Sequence, residues 1–366
     1  MNSLVDIGGP KSLDPLIEAA HDNDDRIQIR AVDGLVNFYV PGYVAQGLTA
    51  NIKRAGSNIK QRFVESNDQV IDPYVVVRPE VVAAIGRLVS GGSSMESRAN
   101  AARGVGILRG KQALPDLYAT LRSKDSDVLY ESLIAIQKIR EPESGPRVQF
   151  LLRDLNEKVQ IAAIETTGVL QNRSAAPDLR NLLDTSPKPK VRRAALGALA
   201  MFPDPANRAL YERSLSDKDE AMRTAAAEGF GRLHNAEDVP MLQKAYDAET
   251  KRGPQLGLAF AMVLDGRTET TENSPLVLLV NNLGNAGYKN VARAYLTELA
   301  QDPGVRLQLY GPMERGVKDE KIGLAQILGA TGDPQAAPHL EKISRDADSQ
   351  VAQEGLRALK NLRVSK

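Results

Sequence analysis

Cysteine and tryptophan are absent from this chain, histidine occurs only three times, and aromatic residues make up 4%. Without cysteine there can be no disulfide, no zinc-thiolate site and no thiol nucleophile, and the redox compartment stays open. A metal cluster built on histidine would need His21, His234 and His339, far apart in sequence, to meet. No excess of one charge sign exists either: 47 Lys plus Arg against 46 Asp plus Glu leave a formal net charge of +1, so no global field for a polyanion is expected. No apolar run approaches the roughly 20 residues that span a bilayer, and the opening "MNSLVDIGGPKSLDPLIEAA" lacks the basic start and apolar centre of a signal peptide. The sequence therefore reads as soluble. The cytoplasm is favoured over a periplasmic space reached with a signal removed upstream.

What is abundant is repetition. "ALPDLYATLRSKDSDVLYESLIAIQKI" (113–139), "SGPRVQFLLRDLNEKVQIAAIETTGVL" (144–170) and "AAPDLRNLLDTSPKPKVRRAALGALAMF" (175–202) align, with Pro115, Pro146 and Pro177 marking a step of 31 residues. Leu121, Leu152 and Leu183 keep that step, as do Val128 and Val159. Each unit predicts two amphipathic helices. The first opens on proline, where a missing N–H costs nothing. A polar turn such as "SKDSD", "DLNE" or "SDKDE" follows, then a second helix with apolar or small residues at helical spacing, and Gly, Asn or Asp closes the unit. Further units are read at 13–39, 80–110, 205–235, 236–266, 289–332 and 333–362.

The second-helix segments "SRANAARGVGIL", "VRRAALGAL", "MRTAAAEGF" and "VAQEGLRAL" resemble HEAT repeats, in the short form common in bacterial proteins and bilin lyases. That resemblance covers about four fifths of the chain and implies an all-α, right-handed superhelical solenoid of about eight or nine short repeats, continuous over residues 1–366. The opening "LVDIGGPKSLDPL" resembles the tail of one repeat running into the next, which implies either an array that once continued upstream or residues 1–12 covering an open end; an uncapped end could stack on a second copy.

HEAT-like arrays include enzymes, and their marks are missing. Deoxyhypusine hydroxylases carry His-Glu dipeptides, whereas His21-Asp22, His234-Asn235 and His339-Leu340 contain none. HEAT-type DNA glycosylases use a basic face and aromatics, which the charge balance and the 4% aromatic content oppose, so nucleic acid is not an expected partner. Gly104, Gly106 and Gly110 in "RGVGILRG" read as close helix packing and a helix C-cap rather than a phosphate loop. No catalytic residue, metal or cofactor is expected. The sequence points to a non-catalytic scaffold or adaptor for a protein or extended peptide, the alternative being an accessory enzyme of the bilin-lyase kind.

In a HEAT stack the second helices line the concave face. Taking the family pattern as register, the outward ladder is Ala99, Tyr130, Ile161, Arg193, Thr224 and Gln353, and one turn on Arg103, Ile134, Glu165, Gly197, Glu228 and Arg357. Tyr130, Ile134 and Ile161, edged by Arg103, Glu165 and Arg193, form the expected groove. A one-residue phase shift would instead place them in the core. Arg192 and Arg223 are expected to pair with turn acids of a neighbouring unit.

Two segments interrupt the array, 40–79 and, more weakly, 267–288. From Tyr43 to Phe63 the apolar residues Val44, Leu48, Ile52, Ala55, Ile59 and Phe63 fall at helical spacing and predict a helix of about 20 residues, about 30 Å long. Its other face carries Lys53, Arg54, Lys60 and Arg62, and an extended return "QVIDPYVVVRPE" follows. Three roles fit this cationic amphipathic insertion: cover for the neighbouring repeats, a contact for an acidic partner, or weak attachment to an anionic membrane surface. The interruption near 276–288 reads as a displaced helix lying on the stack.

Overall fold

The structure is a computed structural model, and it describes residues 10–43 and 70–364. Among these residues it is all α, with no strand, and the helices follow one another as antiparallel pairs in the manner of an α solenoid. The chain forms two compact units. The described part of the first comprises residues 10–43, 70–71 and 75–198, and that of the second residues 72–74 and 199–364.

In the first unit the pairs are α1 (Leu13–Ala19) with α2 (Asp25–Tyr39), α3 (Pro79–Gly91) with α4 (Met95–Ile107), α5 (Leu114–Thr120) with α6 (Ser126–Ile139), α7 (Gly145–Val148) with α8 (Glu157–Val169), and α9 (Ala176–Thr185) with α10 (Pro189–Leu199). Apart from α3, the first helices are short and entered through a 3₁₀ turn, because the unit's proline permits a tight start and removes a donor that has no acceptor there. Second helices begin at a side-chain cap: Asp24, Ser94, Asp125 and Asn156 each accept a backbone N–H from the first turn. The core of the unit is the repeat anchor set, with Leu117, Leu133, Ile136, Leu152, Val159, Leu179 and Val191 fully buried.

A second device recurs at the start of second helices. A long polar side chain reaches back six residues and donates to a carbonyl of the inter-helix turn: Gln28 Nε2 to Asp22 O at 2.7 Å, Arg98 Nε to Gly92 O at 2.9 Å and Arg192 Nη1 to Ser186 O at 2.8 Å. The same bond appears in the second unit from Arg223 to Asp217 O at 2.8 Å and Gln255 to Glu249 O at 2.7 Å. Carbonyls left open by the end of a first helix thus find donors within their own unit. Arg223 also makes the expected pair with a turn acid of its neighbour, Nε to Glu249 Oε2 at 2.7 Å and Nη2 to Oε1 at 3.1 Å. Arg192 serves its own turn instead.

The second unit holds α11 (Arg208–Ser214) with α12 (Glu220–Gly231), α13 (Val239–Ala248) with α14 (Arg252–Leu264), α15 (Pro275–Asn281) with α16 (Lys289–Leu299), α17 (Pro303–Arg315) with α18 (Lys318–Gly329), and α19 (Ala337–Ile343) with α20 (Ser349–Val364). Here the repeat reading needs correction. Residues 289–332 are not one unit but three helices, and α15, inside the apparent interruption 267–288, pairs with α16. Leu276, Leu279, Val291 and Leu296 are buried in the same core as Phe260, Leu324 and Leu328.

Glycine sets the closest approach between successive second helices. A Cβ on Gly106 would stand 2.7 Å from the Ala135 α-carbon, one on Gly231 2.6 Å from that of Ala261, and one on Gly329 2.8 Å from that of Ala358. Real Cβ atoms do not come so near, so these positions hold backbone against backbone. The close-packing reading of Gly106 is correct. Gly110 lies one residue past the left-handed position and donates its N–H to Val105 O at 2.9 Å.

The unit ends also differ from expectation. The left-handed residue that stops the second helix is Arg109, Arg140, Gln171 or His234, with φ of 48°, 60°, 50° and 52°, while Gly42, Gly266 and Gly332 put glycine there. The Gly or Asn read as the closing residue sits one position later.

Candidate functional site

Five of the six groove residues, Arg103, Tyr130, Ile161, Glu165 and Arg193, are half-buried on α4, α6, α8 and α10, and Ile134 is not among them. Ile134 is 5% exposed and belongs to the core, as does Ala99 at 7%. The helical stripe that packs here is wider than the family register assumed, so the phase-shifted reading holds at these two positions. The Tyr130 ring lies under Lys158 of the next repeat, with Nζ 4.0 Å from its centroid, and Lys158 also meets Asp127 Oδ1 at 3.1 Å. Tyr130 thus presents one face to its neighbour within the array.

Arg103 is not a free rim cation. Its Nη2 donates to Glu131 Oε1 at 2.6 Å, and its guanidinium hydrogen-bonds the Tyr43 hydroxyl. Desolvation opposes the Arg103 charge, but Glu131 and Tyr43 more than offset it, and the net shift is upward. Burial, then the nearby Asp33 carboxylate, pushes the Tyr43 hydroxyl up to about 12. Asp33 is itself raised by burial, against a hydrogen bond from Asn100 Nδ2 at 3.1 Å. The cluster is a closed polar network in which the charges satisfy one another.

Sequence reasoning missed Tyr43 and Glu131. Tyr43 stands outside the repeat, so no 31-residue step could point to it. Within the insertion it is the last described residue before residue 70, and it is 7% exposed. On the return, the Ile71 N–H donates to Ile107 O at 2.9 Å. Both described ends of the insertion therefore meet the last turns of α4, at Arg103 and Ile107. Lys53, Arg54, Lys60 and Arg62 lie outside the described residues.

In the second unit the outward ladder is closed over. Thr224 and Glu228 are 1% and 0% exposed, which corrects the reading of both as surface positions. Glu228 Oε1 accepts from the Tyr295 hydroxyl of α16 at 2.6 Å, and Arg232, one turn further, grips Glu298 of the same helix at 2.7 and 2.8 Å. The ladder reopens at Gln353 and Arg357 on α20, where Arg357 makes a bidentate pair with Asp72 at 2.6 and 2.9 Å.

Among the described residues no group of acidic or histidine side chains is arranged to hold a metal ion, and no helix is long and apolar enough to cross a membrane. His339 Nδ1 lies 2.7 Å from Glu314 Oε1 and its ring stacks on Tyr310, but Lys342 already occupies the other carboxylate oxygen.

The geometry defines an α solenoid built of short helix pairs. Two overlapping stretches, residues 145–213 and 184–261, match the HEAT-repeat family model, so this middle part of the chain carries HEAT repeats. No curated protein matches it. Among solved structures it is similar to an engineered protein, at 16% identity over 96% of this chain and 98% of that one, with a TM-score of 0.41. It is also similar to the complex of CpcE and CpcF of phycocyanin lyase from Nostoc sp. PCC7120, at 20% identity over 69% and 93% with a TM-score of 0.39. Human deoxyhypusine hydroxylase in complex with glycerol follows at 18% identity over 78% and 96%, TM-score 0.30. Likenesses of this size say nothing about activity.

Proposed function

We propose that the chain is a non-catalytic scaffold that holds a protein or extended peptide partner on the second helices of its first unit. One observation supports this most: Tyr130, Ile161, Glu165 and Arg193 stay at the surface of successive second helices, while their neighbours on the same helices are core. An aromatic and an aliphatic side chain between charged ones is the composition of a recognition patch. The closed Arg103–Glu131–Tyr43 network borders it and fixes its edge.

The test is capture of binding partners from native lysate by the full chain, compared with Tyr130→Asp/Ile161→Asp and with Lys53, Arg54, Lys60 and Arg62 changed to Glu. Circular dichroism checks that both variants stay helical. A stoichiometric partner lost only with the first variant supports the patch. Loss only with the second reassigns recognition to the insertion, and retention in both overturns the site.

A further inference from the structure

The corners that end the second helices of the first unit carry a row of arginines the scaffold reading leaves unused. Arg109 and Arg140 occupy the same left-handed position one repeat apart, with φ of 48° and 60°, and Arg173 lies two residues beyond the equivalent Gln171. All three are solvent-accessible, and none of their side chains has a hydrogen bond, an ion pair or a ring partner among the described residues. In the second unit no arginine takes this left-handed position, which falls to His234, Gly266 and Gly332; Arg267 and Asp333, next after the two glycines, are paired with Glu269 and Arg306.

A left-handed backbone favours glycine, so arginine here needs a reason beyond closing the helix. The helix dipole favours a cation at a C-terminus, but it does not require two adjacent repeats to place guanidiniums within each other's field. Arg109 feels that field: desolvation and then the Arg140 charge hold it below its ordinary range. Lys111 at the same edge is neutralised by Glu141, and Glu143 is also exposed there, so the strip is not a continuous cationic surface. A nucleic-acid backbone or an anionic lipid surface would meet those carboxylates. Discrete carboxylates spaced near the repeat distance would not.

We propose that the Arg109–Arg140–Arg173 edge docks an extended acidic segment of a protein partner, one carboxylate to each repeat. This rests on the scaffold reading but uses a different face from Tyr130 and Ile161. Three repeats about 10 Å apart span about 20 Å, which an extended strand covers in about six residues at about 3.4 Å each, or about three residues per repeat.

The test is fluorescence anisotropy of a labelled Gly/Ser peptide of that length with Glu at every third position, against the full chain in about 50 mM salt, where screening is weak. Arg109→Gly/Arg140→Gly suits the left-handed backbone, so the melting temperature should hold or rise. Binding should weaken by about fivefold or more, as loss of two exposed ion pairs predicts, while Arg252→Ala/Arg345→Ala leaves it unchanged. Equal binding by both double variants, no binding by the parent chain, or stronger binding to single-stranded DNA or anionic vesicles overturns the proposal. A native partner kept by Arg109→Gly/Arg140→Gly but lost with Tyr130→Asp/Ile161→Asp would overturn it while leaving the scaffold reading intact.

Discussion

Arg232 holds Glu298 across 66 residues of sequence: Nε meets Oε1 at 2.7 Å and Nη2 meets Oε2 at 2.8 Å, while Nη1 donates to Ala200 O at 3.0 Å. The guanidinium also lies over Phe260, whose ring stacks on Tyr295 at 4.6 Å. One side chain therefore joins α12, α14 and α16 and neutralises the buried Glu228.

Arg232→Ala should destabilise the chain by about 3–5 kcal/mol, because Glu228 is left buried beside an unbalanced charge. Arg232→Lys should recover less than half of this, since an ammonium cannot make the planar two-point contact. Urea unfolding followed by circular dichroism measures both. Equal stability of the Lys variant and the parent would show that charge alone suffices.

At the glycine contacts, Gly231→Ala should cost about 1–3 kcal/mol, because its Cβ would stand 2.6 Å from the Ala261 α-carbon and two helices must separate. Gly91→Ala is the control. Nothing lies within 4 Å of its added Cβ, so stability should hold or rise slightly. Paired thermal melts decide it, and a neutral Gly231→Ala would mean that the helices part freely.

Asp265 sets a pH dependence. Burial, followed by the Asp238 carboxylate, pushes its carboxyl from 3.8 up to about 7. The folded chain keeps this proton where the unfolded chain has released it, so the group's contribution is full below about 3.8, falls as pH rises towards 7 and is flat above. Asp265→Asn should raise the melting temperature at pH 8 and change it little near pH 4. An equal rise at both would mean that the carboxyl titrates normally.

The Arg223–Glu249 pair acts in the opposite direction. Burial disfavours the Glu249 charge, but Arg223 and the Lys251 and Thr250 amides outweigh it, and the carboxyl lies below its ordinary 4.5. Its stabilisation is therefore present above about 4.5 and is lost as pH falls through the lower folded value. Arg223→Ala should cost about 2 kcal/mol at pH 7 and clearly less in acid, as denaturant midpoints at the two pH values will show.

The repeat was legible because a solenoid core is periodic. Leu152, Val159 and Val191 recur at the step and are buried where the step predicts. The register of the surface was less legible. Ile134 and Ile161 look alike in sequence, yet the first is core and the second half-exposed, because crowding between neighbouring second helices is set by residues such as Gly106 and Ala135 rather than by hydrophobicity. The arginine edge was legible only as ordinary arginines. That Arg109 and Arg140 share a left-handed position, with no side-chain partner among the described residues, is a property of the fold.

By itself the sequence determined the class of architecture, the helix-pair unit, the prolines and caps that open its helices, and the absence of thiol chemistry. These follow from local periodicity and composition, which need no distant contact. Tertiary structure decided what local rules cannot reach: that α16 closes over Glu228, that Tyr43 locks Arg103 into a network, and that residues 275–299 form a helix pair instead of an interruption. Each depends on a side chain meeting a partner tens of residues away, and that meeting is fixed by packing.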